Sequence, residues 1–266
     1  APVCSVAAGS SSLILPSSCH RLTRNRTLRI RVTLTVTSIT CMSSREVENK
    51  LSSQSDASHS KLIALILNYN LPTQVHKLLH KAQFCICADG GANQLYDAAP
   101  RFAQHLSAVE ARQLVRPAVI VGDLDSIKDE VRQFYAQLGT EIKDLSSDQN
   151  TTDLQKCLTE LEHRFSTQEL ADMTIVVAGG LGGRLDHTMS ALSTLHKWPH
   201  LHLVLWGDGS MAQLLAPGKH VIRPAKEFEG PTCGLVPLSG PARISTQGLK
   251  WDLGKTPRDL QRLQVG

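Results

Sequence analysis

The sequence predicts an α/β fold, in which a Rossmann-like parallel sheet flanked by helices is followed by a smaller all-β sandwich domain. From residue 61, continuous apolar runs alternate with helical patterns. Strands that are apolar along their whole length are typical of parallel sheets with helices on both faces. Past residue 200, short apolar runs are separated by Gly and Pro, and no helical period is present before residue 256.

The first half of the α/β domain is predicted to contain three buried strands. These are residues 62–67, 84–88 and 118–121. A helix is predicted to begin at Pro72, because proline fits the first helical turn and apolar residues then recur at helical spacing. A short helix is predicted through Tyr96, and residues 100–116 show no regular pattern.

The second half continues the alternation. Its predicted elements are a helix at 127–138, a short strand at 140–143, a helix containing 154–161, a buried strand at 174–178 and a helix at 186–197. Gly139 and Pro199 favour the ends of the two helices that precede them.

The all-β part is predicted to open with a hairpin of residues 201–206 and 211–215 around Gly207-Asp-Gly. Further short strands are predicted at 220–222, 233–236 and 242–246. We therefore expect three parts. They are a disordered or transit-like extension at 1–58, an α/β domain at 59–200, and a β-sandwich domain at 201–266.

The charge is distributed unevenly along the chain. Of the net charge of +4, residues 1–45 supply six arginines and no acid, which leaves residues 46–266 with about −2. A body of this charge has no basic surface for nucleic acid. No apolar run approaches the roughly 20 residues of a membrane span.

The seven cysteines are odd in number and include no Cys-x-x-Cys, which favours free thiols in a reducing compartment. We therefore expect a cytoplasmic protein. The arginine-rich, acid-free start has two interpretations. It is either an organelle transit peptide or a stretch that precedes a true start at Met42.

Three stretches carry the candidate chemistry. They are Gly-Asp-Leu-Asp-Ser at 122–126, Asp-Gln-Asn-Thr-Thr-Asp at 148–153 and Gly-Gly-Leu-Gly-Gly-Arg-Leu-Asp-His at 179–187. All lie at or near strand-to-helix turns, where open α/β sheets bind ligands. Together they offer carboxylates, backbone amides and one arginine, which suit a metal–polyphosphate.

Each stretch also has a structural interpretation. Asp123 and Asp125, two apart in an extended chain, could grip one magnesium ion or could cap a turn. Asp153 lies where a helix begins and is either a phosphate-side ligand or the N-cap. Asp89 is either a ligand or the centre of a turn. The glycines at 179–183 suit either a close ligand or a tight connector, and Arg184 offers a forked contact to phosphate.

Electrostatics favours a metal. Asp89, Asp123, Asp125, Asp153 and Asp186 would converge with few cations nearby, and like charges about 4 Å apart repel by roughly 4 kcal/mol at an effective dielectric near 20. Divalent cations remove that repulsion. The cluster therefore indicates Mg²⁺ with a polyphosphate.

These stretches, with Ala-Asp-Gly-Gly-Ala-Asn at 88–93 and Gly-Leu-Lys-Trp at 248–251, resemble the signature series of thiamine pyrophosphokinase. The resemblance covers roughly 61–253. It implies that 59–200 is a nucleotide-binding catalytic domain and that 201–266 is a truncated thiamine-binding and dimerisation domain. It implies a homodimer that transfers pyrophosphate from ATP to thiamine, giving thiamine diphosphate and AMP, with Mg²⁺ as cofactor.

The resemblance also implies roles for individual residues. Three aspartates would hold magnesium, namely Asp123, Asp125 and Asp153. Together with Asp186 they would form the acidic rim of the site and act in catalysis. The implied ATP- and substrate-binding residues are Asp89, Gln149, Thr152, Arg184 and Trp251. Trp251 would line the thiamine pocket of the partner subunit, where an aromatic face suits a thiazolium cation, and its other interpretation is a sandwich-core residue.

The resemblance weakens after Leu253, where the family continues through further strands. Here residues 256–263 have the pattern of a capped helix. The alternative function is therefore a catalytically impaired isoform that binds nucleotide or pairs with a full-length subunit. A dinucleotide-binding oxidoreductase is the least favoured function. The sequence has no proper glycine-rich dinucleotide fingerprint that is followed, about 20 residues later, by an acidic residue for the ribose.

Overall fold

The computed structural model describes residues 3–8, 30–35, 61–222, 232–238, 240–254 and 257–258. The chain forms two compact units. The first is Lys61–Thr194 with His200–Asp208, and the second comprises Ala1–Ser60, Leu195–Pro199 and Gly209–Gly266. Two strands, β1 (Val3–Ala8) and β2 (Ile30–Thr35), lie in the region where the sequence predicted a disordered or transit-like extension.

The first unit is built on a parallel sheet. Its strands are β3 (Lys61–Ile66), β4 (Ala82–Ala88), β5 (Val119–Gly122), β6 (Glu141–Asp144), β7 (Met173–Ala178) and β8 (His202–Gly207). They pair in the order β8-β7-β3-β4-β5-β6, and each pair is parallel. Ile63, Leu65, Ile120 and Val177 are fully or almost fully buried, as expected for a sheet covered on both faces.

Helices connect these strands. They are α1 (Val75–Lys81), α2 (Gly91–Phe102), α3 (Ala108–Leu114), α4 (Asp129–Gln137), α5 (Asp153–Arg164), α6 (Thr167–Ala171) and α7 (Leu185–Lys197). The predicted α/β fold is thereby confirmed. The α2 helix is longer than the short helix expected, and it runs on through Pro100.

Two short helices were not predicted. The α3 helix lies in the stretch that showed no pattern, and α6 connects α5 to β7. Each begins with a reciprocal capping box, formed by Ser107 with Glu110 in α3 and by Ser166 with Glu169 in α6. These caps satisfy backbone amides that a helix of one or two turns would otherwise leave unpaired.

The strand predicted at 201–206 belongs to the parallel sheet. It is β8, which pairs in parallel with β7, and so it does not open an all-β part as the sequence analysis expected. The physical reason is its burial, since Leu203, Val204, Leu205 and Trp206 are each at most 3% exposed. A strand buried on both faces is typical of a covered parallel sheet. Strands are nevertheless present at both predicted hairpin positions, as His202–Gly207 and Ser210–Leu215.

The second unit is rich in strands. They are β9 (Ser210–Leu215), β10 (Gly218–Ile222), β11 (Cys233–Val236), β12 (Ala242–Gln247) and β13 (Pro257–Arg258). In this unit β1 pairs in parallel with β9 and β11, and β10-β2-β12-β13 form an antiparallel sheet. The helical pattern expected at 256–263 is wrong for Pro257 and Arg258, and residues 256 and 259–263 lie outside the described residues.

None of the helices in the described ranges is long and apolar enough to cross a membrane.

The strand order of the first unit has a functional consequence. The chain moves from β3 outward to β6 and then returns to place β7 on the other side of β3. Such a reversal opens a crevice beyond the carboxyl ends of the two central strands, which is where doubly wound sheets bind ligands.

Gly91 provides a test of how tightly the sheet holds the start of α2. A Cβ atom there would lie 2.3 Å from the Ile66 carbonyl oxygen, so the helix would have to move away from β3. We expect Gly91→Ala to lower the free energy of unfolding by about 1–3 kcal/mol in urea denaturation. This outcome reverses the usual gain of about 1 kcal/mol when alanine replaces a helical glycine.

Gly254→Ala is the matched control. Among the described residues, a Cβ atom at Gly254 would meet no atom within 4 Å, so the change should stay within about 0.5 kcal/mol. Equal stability of the two variants would contradict the close packing inferred at Gly91.

Candidate active site

The predicted stretches meet at the side of the parallel sheet where the strands reach their carboxyl-terminal ends, which we call the carboxyl edge. Asp89 follows β4, the loop of residues 122–128 begins at the end of β5, residues 145–152 follow β6, and the glycine-rich loop of residues 179–184 follows β7. Because neighbouring parallel strands end at the same edge, residues far apart in sequence become neighbours there. The α5 and α7 helices begin at this edge, so their first backbone amides also lie near it.

Asp123 contacts a buried lysine. The Nζ atom of Lys156 donates to the Asp123 Oδ1 atom, and the lysine side chain is only 2% exposed. Lys156 lies in the first turns of α5, whose buried face places the ammonium group under the loop after β5. An ammonium group buried to this degree needs a carboxylate partner, so this ion pair ties α5 to that loop.

Asp153 is not the N-cap of α5, which corrects the structural interpretation made from the sequence. Thr152 holds that position, and its hydroxyl accepts from the Gln155 amide at 3.4 Å. The Gln155 side chain accepts from the Thr152 amide in return, which completes a capping box. Because Thr152 caps the helix, the carboxyl group of Asp153, at the first helical position, is not needed as a cap and is available for other contacts.

The carboxylates at this edge act on one another. Burial raises the pKa of Asp153; Lys156 opposes this rise, and the charges of Asp123 and Asp125 add to it. Burial also raises the pKa of Asp89 to about 6. The hydrogen bond from the Ser126 amide lowers this pKa, and the neighbouring Asp125 and Asp153 raise it further. Crowded carboxylates of this kind favour a positively charged ligand.

The Asp89 carboxylate is almost fully buried and accepts two backbone hydrogen bonds. Its Oδ2 atom accepts from the Ser126 amide at 3.1 Å, and its Oδ1 atom accepts from the Ile127 amide at 3.0 Å. Asn93 contacts the same loop. Its Nδ2 atom donates to the Ser126 carbonyl at 2.8 Å, and its Oδ1 atom accepts from the Lys128 amide at 3.0 Å.

Asp125 and Gln149 are both exposed. The Asp125 Oδ1 atom accepts from the Ser126 hydroxyl at 2.9 Å. Gln149 donates to the Ser146 carbonyl at 2.7 Å and has a longer contact of 3.5 Å to Asp123. Asp148 forms the turn itself, because it accepts from the Asn150 amide at 3.0 Å and from the Thr151 hydroxyl.

The glycine-rich loop is packed closely against its own protein. A Cβ atom at Gly182 would lie 2.1 Å from an Asp208 carboxylate oxygen, and one at Gly183 would lie 2.5 Å from the Tyr69 ring. The Tyr69 hydroxyl and the Asp208 carboxylate are 3.3 Å apart. Both glycines also have positive φ angles, so the loop needs glycine even without a ligand.

Arg184 and Asp186 form an exposed pair at the start of α7. The Arg184 guanidinium donates to both Asp186 oxygens, at 3.1 and 2.5 Å, and this pairing lowers the pKa of Asp186 to about 2. The sequence placed Asp186 on the same acidic rim as Asp123 and Asp125. Its contacts in the structure are with Arg184 instead, so the arginine reaches the site already paired with a carboxylate.

Trp251 lies in the second unit and its side chain is 53% exposed. The alternative interpretation of this residue as a sandwich-core tryptophan is therefore wrong. Lys250 Nζ lies 4.5 Å from the centre of its ring, which shows that the ring face accommodates a cation.

Asn93, Tyr69 and Asp208 were not predicted as site residues. Asn93 was quoted only within a motif, and its hydrogen-bond partners lie 33 and 35 residues further along the chain. Asp208 directly follows β8 and Tyr69 lies three residues after the end of β3, and these positions near strand ends could have indicated both residues. In the described ranges, no three His, Cys, Asp or Glu side chains form a group that could hold a metal ion.

Two family models match the chain. The model described as "Thiamin pyrophosphokinase, catalytic domain" matches residues 75–205. The model described as "Thiamin pyrophosphokinase, vitamin B1 binding domain" matches residues 219–262.

Individual proteins are similar over much of their length. The chain is 42% identical over 194 residues to thiamine pyrophosphokinase 1 of Arabidopsis thaliana, which covers 72% of this chain and 73% of the relative. It is 39% identical over 194 residues to thiamine pyrophosphokinase 3 of rice, Oryza sativa subsp. japonica, with the same coverage. The crystal structure of yeast thiamin pyrophosphokinase has a similar fold, with a TM-score of 0.50 and 23% identity over 62% of this chain and 64% of that chain.

The buried lysine predicts that two neighbouring aspartates differ in their effect on stability. Asp123→Asn would leave the buried Lys156 ammonium group without the carboxylate that it contacts directly, so we expect a loss of about 1–3 kcal/mol in the free energy of unfolding. Asp125→Asn removes an exposed carboxylate and should stay within about 0.5 kcal/mol. Urea denaturation without divalent cations measures both variants.

The double variant Asp123→Asn/Lys156→Met is the internal control. It removes the unpaired ammonium group, so it should be more stable than Asp123→Asn alone. Equal losses for Asp123→Asn and Asp125→Asn would contradict a stabilising role for the ion pair.

Proposed function

The chain belongs to the thiamin pyrophosphokinase family, and we propose on that basis that it transfers pyrophosphate from ATP to thiamine, giving thiamine diphosphate and AMP. The main support for the proposal is a cluster of three aspartates around one buried lysine at the carboxyl edge of the sheet. Its members are Asp123, Asp125, Asp153 and Lys156. An acidic group beside helix-end amides suits a metal-bound polyphosphate. The two matched family models stand in the order of a catalytic and a thiamine-binding part.

Magnesium is the proposed cofactor, and the residues fit it. Mg²⁺ usually takes one or two carboxylates and completes its shell with water and phosphate oxygens. A group of three protein ligands in place beforehand is therefore not required. Asp123, Asp125 and Asp153 would hold the ion, which would neutralise phosphate charge, and the raised pKa of Asp153 is consistent with a site that favours a cation.

The proposed reaction joins the hydroxyl oxygen of thiamine to the β-phosphorus of ATP. The bond between the β-phosphorus and the oxygen that bridges it to the α-phosphorus breaks, and AMP leaves with that oxygen. The hydroxyl proton passes to one of the aspartates. In such transfers the protein contributes mostly positioning and charge stabilisation.

The remaining residues have proposed positions in this reaction. Arg184 binds phosphate through its forked guanidinium group, and Asp186 orients it, as supported by their two hydrogen bonds. Gln149 and Thr152 bind ATP or thiamine from the start of α5. The amides of that helix end stabilise the phosphate charge.

The second unit supplies the proposed acceptor side. We propose that the protein is a homodimer and that Trp251 lines the thiamine pocket of the partner subunit, which its exposed ring supports. A cytoplasmic location is also proposed. Four free cysteines in the described residues, two of them buried, are consistent with a reducing compartment.

The alternative, a catalytically impaired isoform, rested on the unusual sequence after Leu253. The match to the vitamin B1 binding-domain model extends to residue 262, so this segment does not favour the alternative. The direct assay is AMP release from ATP and Mg²⁺ with and without thiamine. Thermal stabilisation by nucleotide without thiamine-dependent AMP would favour the alternative.

Asp125→Asn tests the magnesium assignment. Because Asp125 is an exposed proposed ligand, we expect thiamine-dependent AMP release to fall at least about 100-fold while the thermal midpoint stays near that of wild type. Asp129→Asn, an exposed aspartate in the first turn of α4, is the matched control and should retain full turnover. Turnover of Asp125→Asn like that of wild type would remove this residue from the site.

A further inference from the structure

Asp89 and Asn93 both face the loop that carries Asp123 and Asp125, although both belong to a different part of the chain. Asp89 directly follows β4, and Asn93 lies in the first turn of α2. They are 2% and 8% exposed, so their side chains lie inside the protein.

All four polar atoms of these two side chains are engaged by backbone groups of the loop. The Asp89 oxygens accept from the amides of Ser126 and Ile127, and Asn93 contacts the Ser126 carbonyl and the Lys128 amide, at 2.8–3.1 Å. Each of the three side-chain oxygens therefore accepts a backbone hydrogen bond of normal length, which is the pattern expected of residues that hold a loop in place. A residue whose task is to bind a metal or phosphate would present an oxygen to the site.

The backbone geometry supports the same role. Asp89 has a φ of 35°, a strained conformation for an aspartate. A Cβ atom at Gly122 would lie 2.6 Å from the Asp89 Cβ atom, so the loop begins in direct contact with this residue. Leu124, between the two candidate ligands, has a φ of 61°. A loop with such a conformation needs outside contacts to keep it in place.

We propose that Asp89 and Asn93 are positioning residues that clamp the 122–128 loop and thereby fix Asp123 and Asp125 for the metal–nucleotide. This inference rests on the proposed function, and it replaces the substrate-binding role that the sequence suggested for Asp89. The clamp makes the loop rigid before the ligand arrives, so binding does not have to order it.

Hydrogen exchange in the ligand-free protein tests the clamp without any reference to activity. In Asp89→Asn, one of the two loop amides would face an amide group that cannot accept from it. We expect peptides covering 122–128 to exchange about tenfold faster, as expected when one hydrogen bond to a charged group is lost. Asn93→Ala should give the same effect, centred on Lys128.

The matched control is Asp97→Asn. Asp97 lies on the same helix and contacts the Lys128 side chain at 3.5 Å, but it is 59% exposed and touches no loop amide. Exchange of the loop should not change in this variant. Repulsion alone predicts the opposite for Asp89→Asn, because removing a charge from a crowded acidic group should slow loop opening.

A second measurement separates positioning from direct binding. A loosened loop still carries both ligands, so saturating Mg²⁺ should restore most of the turnover of Asp89→Asn, with half-saturation at about tenfold higher Mg²⁺. Thermal shift with Mg²⁺ and ATP should show the same displacement. Unchanged loop exchange, or turnover that no Mg²⁺ concentration restores, would overturn the proposal. If wild type makes no AMP, the proposed function fails, and the exchange result still decides the clamp.

Discussion

Repulsion among four carboxylates at one edge of a parallel sheet is the constraint around which the site is arranged. Asp89, Asp123, Asp125 and Asp153 come from three separate connections, and the parallel pairing of β4, β5 and β6 brings those connections to the same edge. The protein offsets the repulsion with groups of its own. Lys156 supplies a buried positive charge to Asp123, and two backbone amides satisfy Asp89. Asp125 and Asp153 receive less compensation, which makes them the natural partners of an incoming cation.

The same arrangement divides the acidic residues into two kinds. One kind holds the protein together, as Asp89 does for a loop and Asp148 does for a turn. The other kind keeps oxygen atoms toward the edge, as the exposed Asp125 does. Residue type does not separate these kinds, since both are aspartates after a strand. Hydrogen-bond partners separate them, because a carboxylate whose oxygens already accept backbone amides has less capacity for a ligand.

The sequence predicted the fold well where burial alone determines it. The strands β3, β4, β5 and β7 are continuous apolar runs, and such runs have few alternatives to a buried strand. Short helices such as α3 depend on a single capping box, which a search for periodicity does not detect. The predicted site stretches lie at the same edge, but their roles depend on partners far away in the chain. Neither the clamp by Asn93 nor the pairing of Arg184 with Asp186 follows from spacing.

The packing under the glycine-rich loop affects how genetic data on this protein should be interpreted. In a mutational scan for activity, substitutions at Gly182 and Gly183 would score as severely as changes to ligand-binding residues. Their cause would be the positive φ angle at each position together with the close contacts to Asp208 and Tyr69, which affect any side chain regardless of substrate. Intolerance to substitution at these two positions therefore reports on an internal contact. A scan would test the proposed phosphate site more reliably at Arg184, whose side chain is 68% exposed and has room to change.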